Sequence, residues 1–245
     1  MIDLKDLNIK IFLDTANLDK IKDALSNYPF IKGFTTNPSL MHKEGVKNYE
    51  TFCKEALQIS NNLPISFEVF SDDPKDMEKE AKIISSWGQN AYAKIPITNT
   101  KGISTKEIIN NLTNDNIKVN VTAIFTVKQL TEIIDSFNNS TPSIISVFAG
   151  RIADSGRDPV LIMKECYELL KNKKNLELLW ASSRELYNIF DAEKTKSHII
   201  TIAPDILDKI KFLNKNLNEF SLDTVNDFFK DANSAGFNIL KKDSH

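Results

Sequence analysis

Short runs rich in apolar and β-branched residues recur along this chain, separated by stretches that combine a polar first turn with a helical apolar stripe. The runs are IKIFLD (9–14), IKGFTT (31–36), PISFEVF (64–70), AYAKIPI (91–97), KVNVTAIF (118–125), SIISVFAG (143–150), LELLWAS (176–182) and HIITIA (198–203). Their length and composition predict strands. The separating stretches read as helices: NLDKIKDALSNY opens on a capping Asn, and DDPKDMEKEAKIISSW has Pro near its first turn. STKEIINNL and DPVLIMKECYELLKN repeat the pattern of cap, polar turn and amphipathic stripe. Strand and helix thus alternate about eight times. Parallel strands need such crossovers, and eight units in this length predict an α/β chain closed into a (β/α)8 TIM barrel. An open doubly wound sheet is the runner-up, but it usually carries a Gly-rich loop after its first strand, and FLDTANLDK has no glycine.

The chain reads as a single domain over 1–245, with a barrel at about 8–215 and a C-terminal helical tail at about 216–245. APDILDKIKFLNKNL and SLDTVNDFFKDANSAGF are two expected extra helices after the eighth strand. Phe220, Leu222, Val225, Phe228 and Phe229 give the second a heavy apolar load. It must cover either the barrel's own flank or bottom, or a neighbouring subunit.

Composition narrows the function. Of 245 residues, 41% are hydrophobic and 26% charged, with a net charge of -2 and both signs interspersed. This is an ordinary globular balance with no electrostatic footprint for nucleic acid or a membrane surface. MIDLKDLNIK is unlike a signal peptide, and no apolar run approaches the roughly 18 residues that span a bilayer, so a cytoplasmic location is expected. Cys53 and Cys166 are expected as buried thiols, and His42, His198 and His245 form no metal-binding pair.

Strand parity then sorts the polar residues. Ile9, Ile11 and Leu13 oppose Phe12 and Asp14; Ile65, Phe67 and Val69 oppose Ser66 and Glu68. Ala93, Ile95 and Ile97 oppose Tyr92 and Lys94; Val119, Val121 and Ala123 oppose Asn120 and Thr122; Ile145 and Val147 oppose Ser146 and Phe148. If the apolar parity faces the helices, then Asp14, Glu68, Lys94, Asn120, Thr122 and Ser146 meet inside the barrel near its C-terminal mouth, where barrel active sites lie. Individually a strand-end Asp can be a helix cap and a strand Lys a solvated edge residue. A closed barrel has no edge, and burying these ions costs several kcal/mol each. A structural ion-pair cluster is the competing account of the set.

An amine among Tyr, Ala, Ile and Pro suits a Schiff base, because apolar surroundings disfavour the ammonium and expose a nucleophile to a carbonyl. The iminium is an electron sink for breaking a carbon–carbon bond, and a carboxylate such as Asp14 can take the proton of the released hydroxyl. Glu68 and Thr122 are placed to hold the expelled water. No external cofactor is required.

These residues resemble the transaldolase family, including its shorter members and the fructose 6-phosphate aldolases. FLDTANLDKI, GFTTNPSL, AYAKIPIT, NVTAIFT, SVFAGRI and WASSRE carry the resemblance in order over residues 12–186. It implies the (α/β)8 fold, Lys94 as the Schiff-base residue, Asp14 as general acid/base, and Glu68 with Thr122 around the catalytic water. It implies that Asn37 and Ser146 hold the hydroxyls of a dihydroxyacetone unit, that Phe148 shapes the pocket, and that Arg151 and Arg184, with Ser182, bind a sugar phosphate. The aldolases of this group carry Gln on the third strand and Tyr on the sixth, whereas Glu68 and Phe148 match the transaldolases. The expected activity is transfer of dihydroxyacetone from fructose 6-phosphate or sedoheptulose 7-phosphate to an aldose phosphate. The alternatives are an aldolase releasing free dihydroxyacetone and a noncatalytic sugar-phosphate binder. Two departures stand out: Ser183 replaces the family's usual Phe, and Arg157 adds a cation near the mouth. The resemblance to the small subfamily also points to a homo-oligomer built through the C-terminal helix.

Overall fold

The computed structural model describes residues 3–239, so the last six positions of the expected tail, including His245, lie outside the described residues. Eight parallel strands close into a barrel in chain order: β1 (Lys10–Asp14), β2 (Ile31–Thr35), β3 (Ile65–Glu68), β4 (Ala91–Pro96), β5 (Val119–Ile124), β6 (Ser143–Val147), β7 (Leu176–Trp180) and β8 (Ile199–Ile202). The (β/α)8 expectation therefore holds. Between them run α1 (Leu18–Asn27), α2 (Pro38–Lys43), α3 (Tyr49–Ile59), α4 (Pro74–Ser86), α5 (Lys106–Asn114), α6 (Val127–Ile133), α7 (Ala149–Asp154), α8 (Pro159–Leu170) and α9 (Asn188–Lys194). After β8 come α10 (Pro204–Leu207) and α11 (Leu217–Ser234).

Local sequence sets most helix starts. Asn17 accepts hydrogen bonds from the backbone N–H of Asp19 and Lys20, and Asp73 and Asp158 cap α4 and α8 with Pro in the first turn of each. Thr105 departs from this pattern: its hydroxyl donates to the Pro96 carbonyl at 2.7 Å and does not cap α5. The sixth strand ends at Val147, earlier than its apolar run, because Ala149 and Gly150 begin α7.

The apolar parity of the strands faces the helices: Ile11, Leu13, Ile65, Phe67, Val119 and Val121 are buried there. Inside the barrel, Phe12 packs with Ile144, Leu179 and Ile199. Gly33 makes room for that ring, since a Cβ there would lie 2.6 Å from Phe12 Cζ. Cys53 and Cys166 are buried free thiols, and burial pushes Cys166 up to about 12.

Two compact units are distinguished. The barrel body spans Asp3–Asp208, and the second unit takes in residues 209–239. In that second unit the helix expected to run on to Leu217 stops early. A 3-10 stretch (Asp208–Phe212) is followed by Asn214 in the left-handed region, at φ 63°, and Asn216 then caps α11. Leu217, Leu222, Val225, Phe228 and Phe229 on α11 are all exposed. No described helix is long and apolar enough to cross a membrane.

Candidate active site

Strand register alone brings the inward polar residues together. Glu68 of β3 is the register partner of Lys94 on β4, Lys94 in turn pairs with Asn120 on β5, and Asp14 of β1 pairs with Thr35 on β2. Asp14, Thr35 and Glu68 end their strands and, with Lys94 two residues before the end of β4, line a cavity of about 540 Å³, while Asn120, second in β5, is not part of its lining.

The Lys94 side chain is 8% exposed, and its Nζ donates to the Thr36 carbonyl at 2.9 Å and lies 3.1 Å from Glu68 Oε2. Tyr49, reaching from α3, donates to the Glu68 main-chain carbonyl at 2.7 Å and steadies that strand end. Beside them Asn120 donates to Ser66 Oγ at 2.9 Å and accepts from Ser146 Oγ at 2.6 Å, so both ends of its buried amide are satisfied. Thr122 lines the cavity, and its buried hydroxyl has no hydrogen-bond partner among the described residues. Thr122 precedes Ala123 within β5, and Ala123 adopts φ 59° where the pairing with β6 shifts register between Val121 and Ile124.

Asp14 is buttressed on both oxygens. Thr35 donates to Oδ1 at 2.7 Å and is itself 2.6 Å from Thr201 Oγ1, so Thr201 supplies the hydrogen of that second contact. Asn37 Nδ2 reaches Oδ2 at 3.4 Å, while its Oδ1 accepts from Leu40 N and caps α2. Burial pushes the Asp14 carboxyl above its ordinary 3.8, and the Lys94 charge and the Thr35 hydroxyl only partly oppose that rise. A folded-state pKa above the unfolded one adds stability in acid that is lost as pH rises through the folded value. Asp14→Asn should therefore raise the thermal midpoint near pH 7, with the gain shrinking as the pH falls and wild-type Asp14 takes up its proton. Paired melting curves at pH 7 and pH 5 check this; a gain that grows in acid would contradict it.

At the rim, Phe148, Arg151 and Ser182 line the cavity, with the Arg151 guanidinium 5.3 Å from the centre of the Phe148 ring. Gly150 lets the sixth and seventh strand ends meet. Its N–H donates to the Ala181 carbonyl at 3.2 Å, and a Cβ there would fall 1.6 Å from the Ser182 carbonyl oxygen. Ser182 itself sits at φ 65°. Gly150→Ala should cost about 2 kcal/mol or more, read as a shifted urea midpoint; an unmoved midpoint would mean that the rim yields freely.

Of the residues singled out from sequence, Asp14, Asn37, Glu68, Lys94, Thr122, Ser146, Phe148, Arg151 and Ser182 all line this one cavity. Arg184 does not. Its Nε lies 3.0 Å from both oxygens of Asp154, and its Nη2 is 2.6 Å from Oδ2. Arg157 is also off the cavity, donating to Ser155 Oγ at 3.1 Å. Ser183 points away from it and donates to the Thr201 carbonyl at 2.8 Å, so the departure from Phe ties β7 to β8. Thr35, Thr201 and Lys43 line the cavity without having been singled out. Parity already turns Thr35 and Thr201 inward, and Lys43 lies four residues after Ser39 on α2.

Over residues 11–241 the chain matches the family described as Transaldolase/Fructose-6-phosphate aldolase. A "Probable transaldolase" of Methanococcus maripaludis is 36% identical over 203 residues, covering 82% of this chain and 89% of that protein. A "Probable transaldolase 2" of Listeria monocytogenes is 34% identical over 203 residues, covering 82% and 88%. The crystal structure of KGPDC from Streptococcus mutans superposes with a TM-score of 0.54 at 10% identity, over 83% of this chain and 90% of that one, a likeness of fold alone.

Proposed function

Because the chain belongs to the transaldolase/fructose-6-phosphate aldolase family and is an enzyme of that kind, we propose that it is a transaldolase acting through a Schiff base on Lys94. The donor is fructose 6-phosphate or sedoheptulose 7-phosphate, and the acceptor an aldose phosphate. The observation that carries this reading is the buried Lys94 ammonium, 3.1 Å from Glu68 and in one cavity with the buttressed Asp14.

Lys94 passes a proton to the neighbouring Glu68, its amine adds to the ketose carbonyl, and loss of the carbinolamine hydroxyl as water gives the iminium. The Thr122 hydroxyl, without a hydrogen-bond partner among the described residues, and the Glu68 carboxylate handle that water. The Asp14 carboxylate takes the proton of the C4 hydroxyl. The C3–C4 bond then breaks, its electron pair passes into the iminium to form an enamine on Lys94, and the aldose phosphate departs. The enamine adds to the acceptor's carbonyl carbon, the new alkoxide recovers the proton from Asp14, and hydrolysis frees the amine. A raised Asp14 pKa suits this shuttle, since a general acid/base works best with a pKa near the working pH. Asn37 and Ser146 are assigned to the dihydroxyacetone hydroxyls, and Arg151 with Ser182 to the phosphate.

Transfer is favoured over release because Glu68 and Phe148 occupy the two positions that separate the subgroups. The test is product analysis with fructose 6-phosphate, with and without erythrose 4-phosphate. Glyceraldehyde 3-phosphate should form beyond one equivalent per active site only when the acceptor is present. Steady accumulation of free dihydroxyacetone without acceptor would make the protein an aldolase of the same mechanism. We further propose that the chain works as one domain in the cytoplasm, and that the exposed Leu222, Val225, Phe228 and Phe229 of α11 mediate a homo-oligomer.

A further inference from the structure

A carboxylate that carries a proton can take it on either oxygen, and the structure treats the two oxygens of Asp14 differently. Oδ1 accepts the Thr35 hydroxyl at 2.7 Å, a full hydrogen bond. Oδ2 is reached by the Asn37 amide at 3.4 Å, a weak one.

Thr35 is in turn held by Thr201. Strands β2 and β8 flank β1 in the barrel, and the hydroxyl oxygens of Thr35 and Thr201 meet across it, 2.6 Å apart. Each hydroxyl has a single hydrogen. Thr35 gives its own to Asp14, so Thr201 is the donor to Thr35. Both residues are buried, and the Thr201 hydroxyl has no other hydrogen-bond partner among the described residues. The main chain of Thr201 is fixed as well, because Ser183 Oγ donates to its carbonyl at 2.8 Å. A chain of hydroxyls therefore runs one way, from Thr201 through Thr35 to Asp14 Oδ1, and each donation strengthens the next.

We propose that Thr201 is a positioning residue for the proton transfer: by donating to Thr35 it keeps the Thr35 hydrogen on Asp14 Oδ1, and so directs the shuttled proton to Oδ2. This assignment rests on the reading of Asp14 as the acid/base. The O–H bond of the C4 hydroxyl breaks and an O–H bond forms at Oδ2, while the C3–C4 electron pair passes to the iminium; the same proton later returns to the alkoxide formed from the acceptor. A proton on Oδ1 would require Thr35 to turn its hydrogen toward Thr201, whose own hydrogen would then lack an acceptor. Thr201 acts only through Thr35. Lys94 from β4 and Glu68 from β3 also act on the Asp14 carboxyl, and Lys43 from α2 and Arg151 from α7 line the same cavity; a change at Thr201 leaves all four in place. The Thr35 hydroxyl is one of the influences that oppose the rise caused by burial, so a weaker Thr35 donor lets the Asp14 carboxyl climb further.

The experiment substitutes Thr201 in the intact protein and titrates the Asp14 carboxyl by NMR of isotope-labelled aspartate, with its resonance identified by its absence from Asp14→Asn. The pH profiles of kcat and KM for fructose 6-phosphate with erythrose 4-phosphate are measured beside it. Thr201→Val keeps the shape and removes the hydroxyl. It should move the Asp14 midpoint and the acid limb of kcat together to higher pH and lower kcat about five- to tenfold, the size of one neutral hydrogen bond. KM should change by less than about twofold, since no contact with the substrate is lost. Thr201→Ser keeps the donor and should restore midpoint, limb and rate. Thr201→Ala removes the same hydroxyl and should match Thr201→Val, so a packing failure of one variant leaves the other to decide. An Asp14 midpoint unmoved in Thr201→Val and Thr201→Ala, or a Thr201→Ser that falls as far as they do, would overturn the assignment. The titration needs no substrate, so the two proposals fail separately. A shifted midpoint in a protein that turns over no ketose phosphate would remove the transaldolase reading and leave the hold of Thr201 on Asp14. Wild-type turnover with an unmoved midpoint would remove only the role of Thr201.

Discussion

Lys94→Met is expected to reduce turnover of fructose 6-phosphate with erythrose 4-phosphate by about 10⁴-fold or more, the scale on which loss of a covalent nucleophile is felt. Methionine keeps the unbranched stem and fills much of the same space beside the Glu68 side chain, but it has no amine to add to a carbonyl. The substitution also leaves Glu68 without its counter-ion, a change that costs stability in a site where the carboxylate is only 20% exposed. A thermal midpoint measured beside the activity separates the two effects. A folded variant that retains even a few per cent of the rate would place the chemistry on another group.

Asp14→Asn is expected to lower turnover by about 10² to 10⁴-fold, the usual worth of a positioned acid/base, while leaving imine formation intact. Asparagine is isosteric and keeps a carbonyl oxygen to accept from Thr35, so the local geometry survives; what is lost is the ability to carry a proton. The variant should accumulate a covalent ketose adduct that wild type passes on, visible as a larger trapped fraction at equal substrate. Normal turnover would remove Asp14 from the proton path. Loss of the adduct together with turnover would show that Asp14 acts earlier, on imine formation itself.

How much of this was legible in the sequence differs from residue to residue. Period-2 parity was enough to turn Asp14, Glu68, Lys94, Asn120, Thr122 and Ser146 inward, because in a closed barrel each strand has only two faces and one is claimed by the helices. Capping by Asn17, Asp73 and Asp158 was equally local, since the side chain and the N–H groups it serves lie within three residues. What parity could not show were contacts made by chance of tertiary position. The Arg184–Asp154 pair joins residues 30 apart in sequence. It takes an arginine that resemblance assigns to phosphate and points it elsewhere. The segment STKEIINNL reads as a capped helix start, yet the Thr105 hydroxyl at the N-cap goes to the end of β4, a choice made by the neighbouring strand. The helix expected over 203–217 gives out at Leu207, tightens into a 3-10 stretch over Asp208–Phe212 and has ended before the left-handed Asn214. Lys43 could have been found by extending helical spacing from NPSL, but nothing in that segment announces that its face looks into the barrel.

The most direct measurement is to incubate the protein with fructose 6-phosphate, reduce with borohydride, digest, and map the modified peptide by mass spectrometry. The mechanism predicts a reduced dihydroxyacetone or ketose adduct on the peptide that contains Ala91 to Thr98, located at Lys94 by fragmentation. An adduct on a different lysine, or no adduct with any ketose phosphate, would contradict it.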